Sequence, residues 1–194
     1  MKPLQESFKD YIFESNENKF LLFLGDIMQH RGLLRAERDK GYTYAGVFDN
    51  IKPIVDEATF VCGNLETVFA GTKSHRTRGT EEDNMGPHFS APDELAGALF
   101  RAGIRAVTVQ QNHMLDHGIG GFQRTLEILE SVGIEPIVNR RLIGDKNCTI
   151  CLHNFTTHLN DIDNYKIEIP NIDEKADINI ALPHWGGQFV GINK

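Results

Sequence analysis

Short apolar runs alternate with amphipathic segments along this chain, and several of the runs end directly in a polar residue. The runs at 21–26 (LLFLGD), 59–64 (TFVCGN) and 104–109 (IRAVTV) have the length and composition of buried strands. Segments of helical character lie at 91–103 and 121–133. Strands that alternate with helices predict an α/β fold whose sheet is largely parallel.

The remaining segments extend this pattern. Apolar residues at helical spacing between 44 and 57 predict a helix that Pro53 kinks or shortens. A polar, Gly-rich stretch from 67 to 90 predicts an exposed loop. Further strand-like segments lie at 134–138, 147–155 and 176–186. We expect residues 1–194 to form a single domain.

Composition narrows the class of protein. The chain carries 40% hydrophobic and 24% charged residues, which are globular values, and its formal net charge is -7. An acidic chain lacks the basic face that nucleic-acid phosphates require, so we expect no nucleic-acid partner. No apolar run approaches the ~20 residues that span a bilayer, and the N-terminus lacks an apolar signal-peptide core. These features predict a cytoplasmic protein, which a partner could hold at a membrane.

Polar side chains follow four of the strand-like runs at the point where each run ends. In a parallel sheet, the residues just beyond the carboxyl ends of the strands line the ligand crevice. The residues at these positions are Asp26, Asn64, Glu66, Asn112, His113 and His184. The pattern therefore predicts that two carboxylates, two amides and two imidazoles meet at one edge of the sheet.

Carboxylate, imidazole and amide groups together are the ligands of a hard or borderline divalent cation. Mn²⁺, Fe²⁺, Zn²⁺ and, less readily, Mg²⁺ fit this set. Two such ions can lower the pKa of a bound water and hold a phosphate. In the segment QNHMLD, Asn112 is the candidate ligand, His113 the candidate general acid and Asp116 the residue that orients the imidazole.

Each of these residues also has a plainer interpretation when taken alone. Asp26 fits a turn cap, Asn64 a turn former and Glu66 a solvated charge. His30 follows Asp26 by four residues, so it joins the site if a helical turn separates them and is otherwise a surface histidine. The metal-site interpretation depends on the strand ends being neighbours in space.

Five motifs stand in an order that resembles the capsule-synthesis CapA family. This family is associated with poly-γ-glutamate capsule production and is related to calcineurin-like metallophosphoesterases. The motifs are GDIMQH (25–30), GNLE (63–66), FSAPDEL (89–95), QNHMLDHG (111–118) and HWGGQF (184–189). The resemblance, which extends from about residue 20 to 190, implies a four-layer α/β/β/α metallophosphoesterase-like sandwich with a two-metal centre and a hydrolase-like site.

The resemblance also implies roles for individual residues. Five positions resemble metal ligands, namely Asp26, His30, Glu66, Asn112 and His184. His113 resembles the catalytic histidine, and Asp116 its partner. The implied cofactor is a pair of divalent ions of Mn, Fe or Zn. The implied substrate is a phosphoester or an anionic polymer, and membrane-associated capsule machinery is a possible partner.

The chain departs from the family pattern in three places. Gln111 stands where an Asn is usual, and Gln188 stands where an acidic residue is usual. The family continues to a Gly-His-x-His-like motif that does not occur before Lys194, so we expect a sandwich that is incomplete at its C-terminus. The main hypothesis is a metal-dependent phosphoesterase-like hydrolase. The alternatives are a non-catalytic member that keeps the fold and binds metal weakly or not at all, and an unrelated α/β binding module.

Overall fold

A computed structural model describes residues 20–71, 88–145, 147–156 and 171–185. The strands are β1 (Leu21–Ile27), β2 (Phe60–Leu65), β3 (Ala106–Thr108), β4 (Glu135–Ile137), β5 (Arg140–Gly144), β6 (Thr149–Thr156) and β7 (Ile178–His184). The helices are α1 (Arg31–Arg38), α2 (Lys52–Glu57), α3 (Glu94–Arg101) and α4 (Gly118–Val132). Within this part of the chain, no helix is long and apolar enough to cross a bilayer.

The strands form two sheets. Sheet A has the order β1-β2-β3-β4, and all of its neighbouring strands are parallel. A helix lies between each pair of consecutive strands in sheet A, as parallel strands need a crossover connection. Sheet B has the order β5-β6-β7, in which β5 and β6 are antiparallel and β6 and β7 are parallel. The predicted alternation of strands and helices around a parallel sheet is confirmed.

Two apolar clusters separate three layers. The first lies between the helices and sheet A, and its members Leu99, Val107 and Leu129 are fully buried. The second lies between the two sheets and includes Phe60 of β2 and Leu152 of β6. The α/β class is confirmed, with helices, sheet A and sheet B as successive layers. A helical layer on the outer face of sheet B is not among the described residues.

Some element boundaries differ from the prediction for local reasons. Helix α2 begins only at Lys52, because Pro53 lies in its first turn, where the missing N–H group breaks no hydrogen bond. Helix α1 was not predicted because its sequence is mostly charged, although its few apolar residues lie on one face and give it a clear amphipathic period. Helix α4 ends as predicted at Gly133, which adopts the left-handed conformation with φ +87° that favours glycine.

The predicted exposed loop at 67–90 is wrong at both of its ends. Phe69 is fully buried, and Phe89 is only 4% exposed. Arg124 of α4 donates a hydrogen bond to the Phe69 carbonyl over 2.6 Å, which holds the first end against the helical layer. Residues 72–87 lie outside the described part of the chain. The polar composition of the whole segment concealed two apolar ends that belong to the core.

Candidate metal centre

A β-bulge in β1 directs Asp26 toward sheet B. The segment from Phe23 to Asp26 pairs with Cys62–Asn64, which is one residue shorter. Phe23 packs between the sheets and Leu22 packs against the helices, so strict alternation would point Asp26 to the helical side. The extra residue reverses the alternation. Asp26 therefore points the same way as Asn64, whose Nδ2 donates a hydrogen bond to Asp26 Oδ1 over 2.8 Å.

Three candidate ligands meet at the carboxyl end of sheet A. One ligand atom each from Asp26, Glu66 and His184 lies within 4.8 Å of the others. His184 Nδ1 is 3.8 Å from Asp26 Oδ1, and His184 Nε2 is 3.7 Å from Glu66 Oε1. Atoms that bind one ion at about 2.0–2.2 Å lie about 2.8–4.4 Å apart, so each spacing by itself fits a divalent cation. The two nitrogens of one imidazole point in different directions, so His184 can give only one of them to a given ion. Asn112 adds an amide oxygen 2.9 Å from His184 Nε2.

Asn154 of β6 joins the two sheets next to these ligands. Its Oδ1 accepts hydrogen bonds from the N–H groups of Val109 and Gln110, at 3.1 and 2.8 Å. Its Nδ2 donates to the Leu182 carbonyl at 3.2 Å, and the residue is 1% exposed. Asn154 therefore fixes the end of β3 relative to the strand that carries His184. The sequence interpretation missed this residue, although an Asn inside an apolar strand was an available signal.

Glu66 is a buried carboxylate beside a second carboxylate. It is 7% exposed, and burial, followed by the neighbouring Asp26, raises its pKa from 4.5 to about 7. Among the described residues, no Lys or Arg lies within 4 Å of its carboxylate, and the basic groups beside it are the imidazoles of His113 and His184. A divalent cation would supply the missing positive charge. The donor set and its electrostatics therefore both fit a metal ion.

His113 and Asp116 form a hydrogen-bonded pair beside the ligands. His113 Nδ1 is 2.9 Å from Asp116 Oδ2, which also accepts a hydrogen bond from the Phe89 N–H over 2.6 Å. Because an ionised carboxylate only accepts, Nδ1 carries the proton in the neutral imidazole, and Nε2 offers a lone pair. That Nε2 is buried, has no hydrogen-bond partner within the described ranges and lies 4.0 Å from Glu66 Oε1.

His30 lies at the margin of the site. It is exposed, precedes α1, and packs edge-on against Phe89 with ring centroids 5.4 Å apart. It does not belong to the group of converging carboxylate and imidazole ligands in the described structure, so its role as a ligand stays a prediction. The structure thus brings together every other predicted site residue, namely Asp26, Glu66, Asn112, His113, Asp116 and His184.

Sequence similarity to known proteins shows the family of this chain. The family described as "Bacterial capsule synthesis protein PGA_cap" matches residues 20–147. The chain belongs to this family. The capsule biosynthesis protein CapA of Bacillus anthracis is 27% identical over 123 residues, which are 63% of this chain and 28% of that relative. The chain thus spans less than a third of the length of the curated relative that it matches. The PGA_cap match includes the candidate residues from Asp26 to Asp116, and His184 follows it.

Proposed function

We propose that this PGA_cap protein is a metal-dependent, phosphoesterase-like hydrolase that acts in the synthesis of a capsule such as poly-γ-glutamate. The observation that carries the proposal is the convergence of Asp26, Glu66 and His184, with a buried imidazole nitrogen of His113 beside them. Carboxylates and imidazoles in this arrangement, next to an oriented histidine, are what metal-assisted phosphoester cleavage requires.

The residues divide into metal-holding and proton-handling groups. Asp26, Glu66, Asn112 and His184 would hold the metal, for which Mn, Fe or Zn is suited. A bound divalent cation supplies an activated water and neutralises phosphate charge. His113, when protonated at Nε2, donates that proton to the leaving oxygen.

Asp116 acts on the reaction through His113. Its carboxylate accepts the Nδ1 proton, which holds the ring so that Nε2 faces the site, and it stabilises the charged imidazolium. The Phe89 N–H group holds the same carboxylate oxygen in place. We propose two ions, a phosphoester or anionic polymer as the substrate, and membrane-associated capsule machinery as a partner.

A non-catalytic family member that keeps the fold and binds metal weakly is the second candidate. One observation favours it: the described residues contain a single group of three converging carboxylate and imidazole ligands, whereas a two-metal centre needs more. The two candidates predict different results once metal is supplied, because only the hydrolase turns over a substrate.

Metal analysis coupled to a phosphodiesterase assay tests the proposal. The purified protein is equilibrated with Mn²⁺, dialysed, analysed for bound metal and then assayed on bis(p-nitrophenyl) phosphate with and without Mn²⁺. The hydrolase predicts bound metal and Mn²⁺-dependent turnover. Bound metal without turnover of this or any other phosphoester would favour the non-catalytic member.

Variants of two adjacent residues separate the two groups. Asn112→Ala removes a candidate ligand and is expected to weaken metal binding. His113→Ala is expected to retain metal affinity and to lower turnover by about 10²–10⁴-fold, as for a general acid. Asp116→Asn should give a milder form of the His113 defect.

The control is His153→Ala, which removes a buried histidine that bonds to Asn179 on sheet B rather than to the candidate ligands. It should change neither metal affinity nor the rate per folded molecule. Equal losses of metal affinity in the Asn112 and His113 variants would refute this division of roles.

A further inference from the structure

Asn64 fills the space between Asp26 and His184. Its Nδ2 is 2.8 Å from Asp26 Oδ1 and 3.1 Å from His184 Nδ1. Those two atoms are themselves 3.8 Å apart. An amide NH₂ group therefore lies where a carboxylate oxygen and an imidazole nitrogen both need a positive partner.

Thr108 contacts the other end of this amide. Its hydroxyl donates a hydrogen bond to Asn64 Oδ1 over 2.9 Å, and the residue is only 4% exposed. Because the Asp26 carboxylate accepts hydrogen bonds, the amide must turn its nitrogen toward Asp26 and its oxygen toward Thr108. The Asp26 contact therefore decides the orientation, and the Thr108 hydroxyl donates to the oxygen at the other end.

The same orientation determines which nitrogen of His184 carries the proton. The NH₂ group of Asn64 is a donor, so the His184 Nδ1 that it contacts must accept. In the neutral ring the proton then lies on Nε2, which is 2.9 Å from Asn112 Oδ1, an acceptor. Directed hydrogen bonds thus run from Thr108 through Asn64 and His184 to Asn112.

We propose that Asn64 is a further ligand of the metal centre whose amide turns over when a cation enters, and that Thr108 is the positioning residue for both orientations. This inference rests on the metal centre of the proposed function. After a half-turn of the amide, its oxygen takes the place that the NH₂ group holds in the metal-free protein. Three donor atoms separated by 2.8, 3.1 and 3.8 Å suit one ion at about 2.0–2.2 Å.

The hydroxyl of Thr108 suits both states because it can donate and accept. It donates to Asn64 Oδ1 in the metal-free protein and would accept from Nδ2 once the amide has turned. A threonine or a serine can do this, whereas a valine of the same shape cannot. The pair of variants Thr108→Val and Thr108→Ser therefore isolates the hydroxyl.

Zn²⁺ titration by calorimetry gives the first test. Thr108→Val is expected to weaken Zn²⁺ binding by about 10–100-fold, the range typical of residues that orient a metal ligand. Thr108→Ser is expected to bind like the wild type. Asn64→Ala should lose more affinity than Thr108→Val, whereas Asn64→Asp should retain binding because a carboxylate needs no turn.

Thr125→Val is the matched control. Thr125 is as buried as Thr108, but its hydroxyl bonds to the backbone of Phe69 and Gly121 instead of to the metal centre. This variant is expected to lower stability without changing Zn²⁺ affinity. Zn²⁺ affinity of Asn64→Ala equal to that of the wild type would overturn Asn64 as a ligand.

Nitrogen-15 NMR of the His184 ring in the metal-free protein gives the second test, which needs no metal. We expect the Nε2–H form in the wild type and in Thr108→Ser, and a mixture of forms in Thr108→Val. A wild-type ring protonated on Nδ1 would overturn the orientation of Asn64. Zn²⁺ binding without hydrolysis would refute only the proposed hydrolase activity. No Zn²⁺ binding at all would refute both the metal centre and the role of Asn64 as a ligand.

Discussion

Sheet A carries a buried glutamate at each end, and the two differ in their partners. Glu66 follows β2 at the carboxyl end, and Glu135 begins β4 at the amino end. Burial is the main cause that raises the pKa of both carboxyls. Arg141 Nε lies 2.6 Å from Glu135 Oε1 and opposes that rise, whereas Asp26 beside Glu66 adds to it.

The difference in partners indicates that Glu135 stabilises the fold and that Glu66 belongs to a candidate ligand site. A buried charge is costly unless it is paired, and the cation that pairs with Glu135 comes from β5, the next strand along the chain. Glu66 lies among a carboxylate and two imidazoles, an arrangement that becomes balanced when a cation binds. Stability alone would not select such a cluster, so a candidate ligand site is the better interpretation of Glu66.

The largest expected effect comes from neutralising each glutamate in turn. Glu66→Gln should weaken Mn²⁺ binding by about 100-fold or more, since it removes a ligand rather than an orienting partner. Glu135→Gln should leave Mn²⁺ affinity unchanged and lower the free energy of unfolding by about 1–3 kcal/mol, because the Arg141 guanidinium loses its charged partner. Calorimetric titration and urea unfolding measure the two quantities. Similar losses of Mn²⁺ affinity in both variants would contradict the different roles assigned to Glu66 and Glu135.

Metal should also stabilise the wild-type fold. Mn²⁺ or Zn²⁺ at 100 times its dissociation constant is expected to add ~2.7 kcal/mol to the free energy of unfolding. For a chain of this size, that corresponds to a rise in melting temperature of about 5–10 °C. Differential scanning calorimetry should show the rise in the wild type and in Glu135→Gln but not in Glu66→Gln. A folded wild-type protein with no rise at millimolar metal would contradict the metal centre.

A further expected effect is on the pH dependence of the metal-free protein. The pKa of Glu66 is about 7 in the folded state and near its ordinary value of 4.5 when unfolded. Between these values the folded state binds more protons than the unfolded state, so the free energy of unfolding falls as the pH rises from about 4.5 to about 7. Glu66→Gln should flatten this fall and be more stable than the wild type at pH 8. If the free energy of unfolding changed with pH in the same way in both proteins, folding would not raise the pKa of Glu66.

Much of the candidate site was predictable because residues just beyond the carboxyl ends of parallel strands line a common crevice. Apolar runs that end near Asp26, Glu66 and Asn112 had to lie at one edge if their sheet was parallel, and sheet A is parallel. His184 ends β7 of sheet B, so the prediction that it belongs to the same sheet is wrong, and the packing of the two sheets brings it to the site. The spacing of His113 and Asp116 within one turn likewise anticipated their hydrogen bond. Both features could be predicted because they depend on residues that are close together in the sequence.

Features that depend on partners from distant segments were not predictable. The loop ends at Phe69 and Phe89 were misread as exposed, because their burial comes from packing against residues far along the chain. Asn154 was marked by its place inside an apolar strand, but its partners at the end of β3 and in β7 could not be predicted for the same reason. Helix α1 is a different case, because its few apolar residues lie on one face and its amphipathic period was an available signal.

The sequence by itself determined the α/β class, the identity of the polar residues at the strand ends and the His113–Asp116 pair, since alternation and spacing are properties of the chain. Only the tertiary structure decided which way those residues point. One extra residue in β1 turns Asp26 from the helical side to sheet B, where it meets Asn64 and His184. A bulge depends on the register between two strands, and register is set by the packing of both faces of the sheet at once.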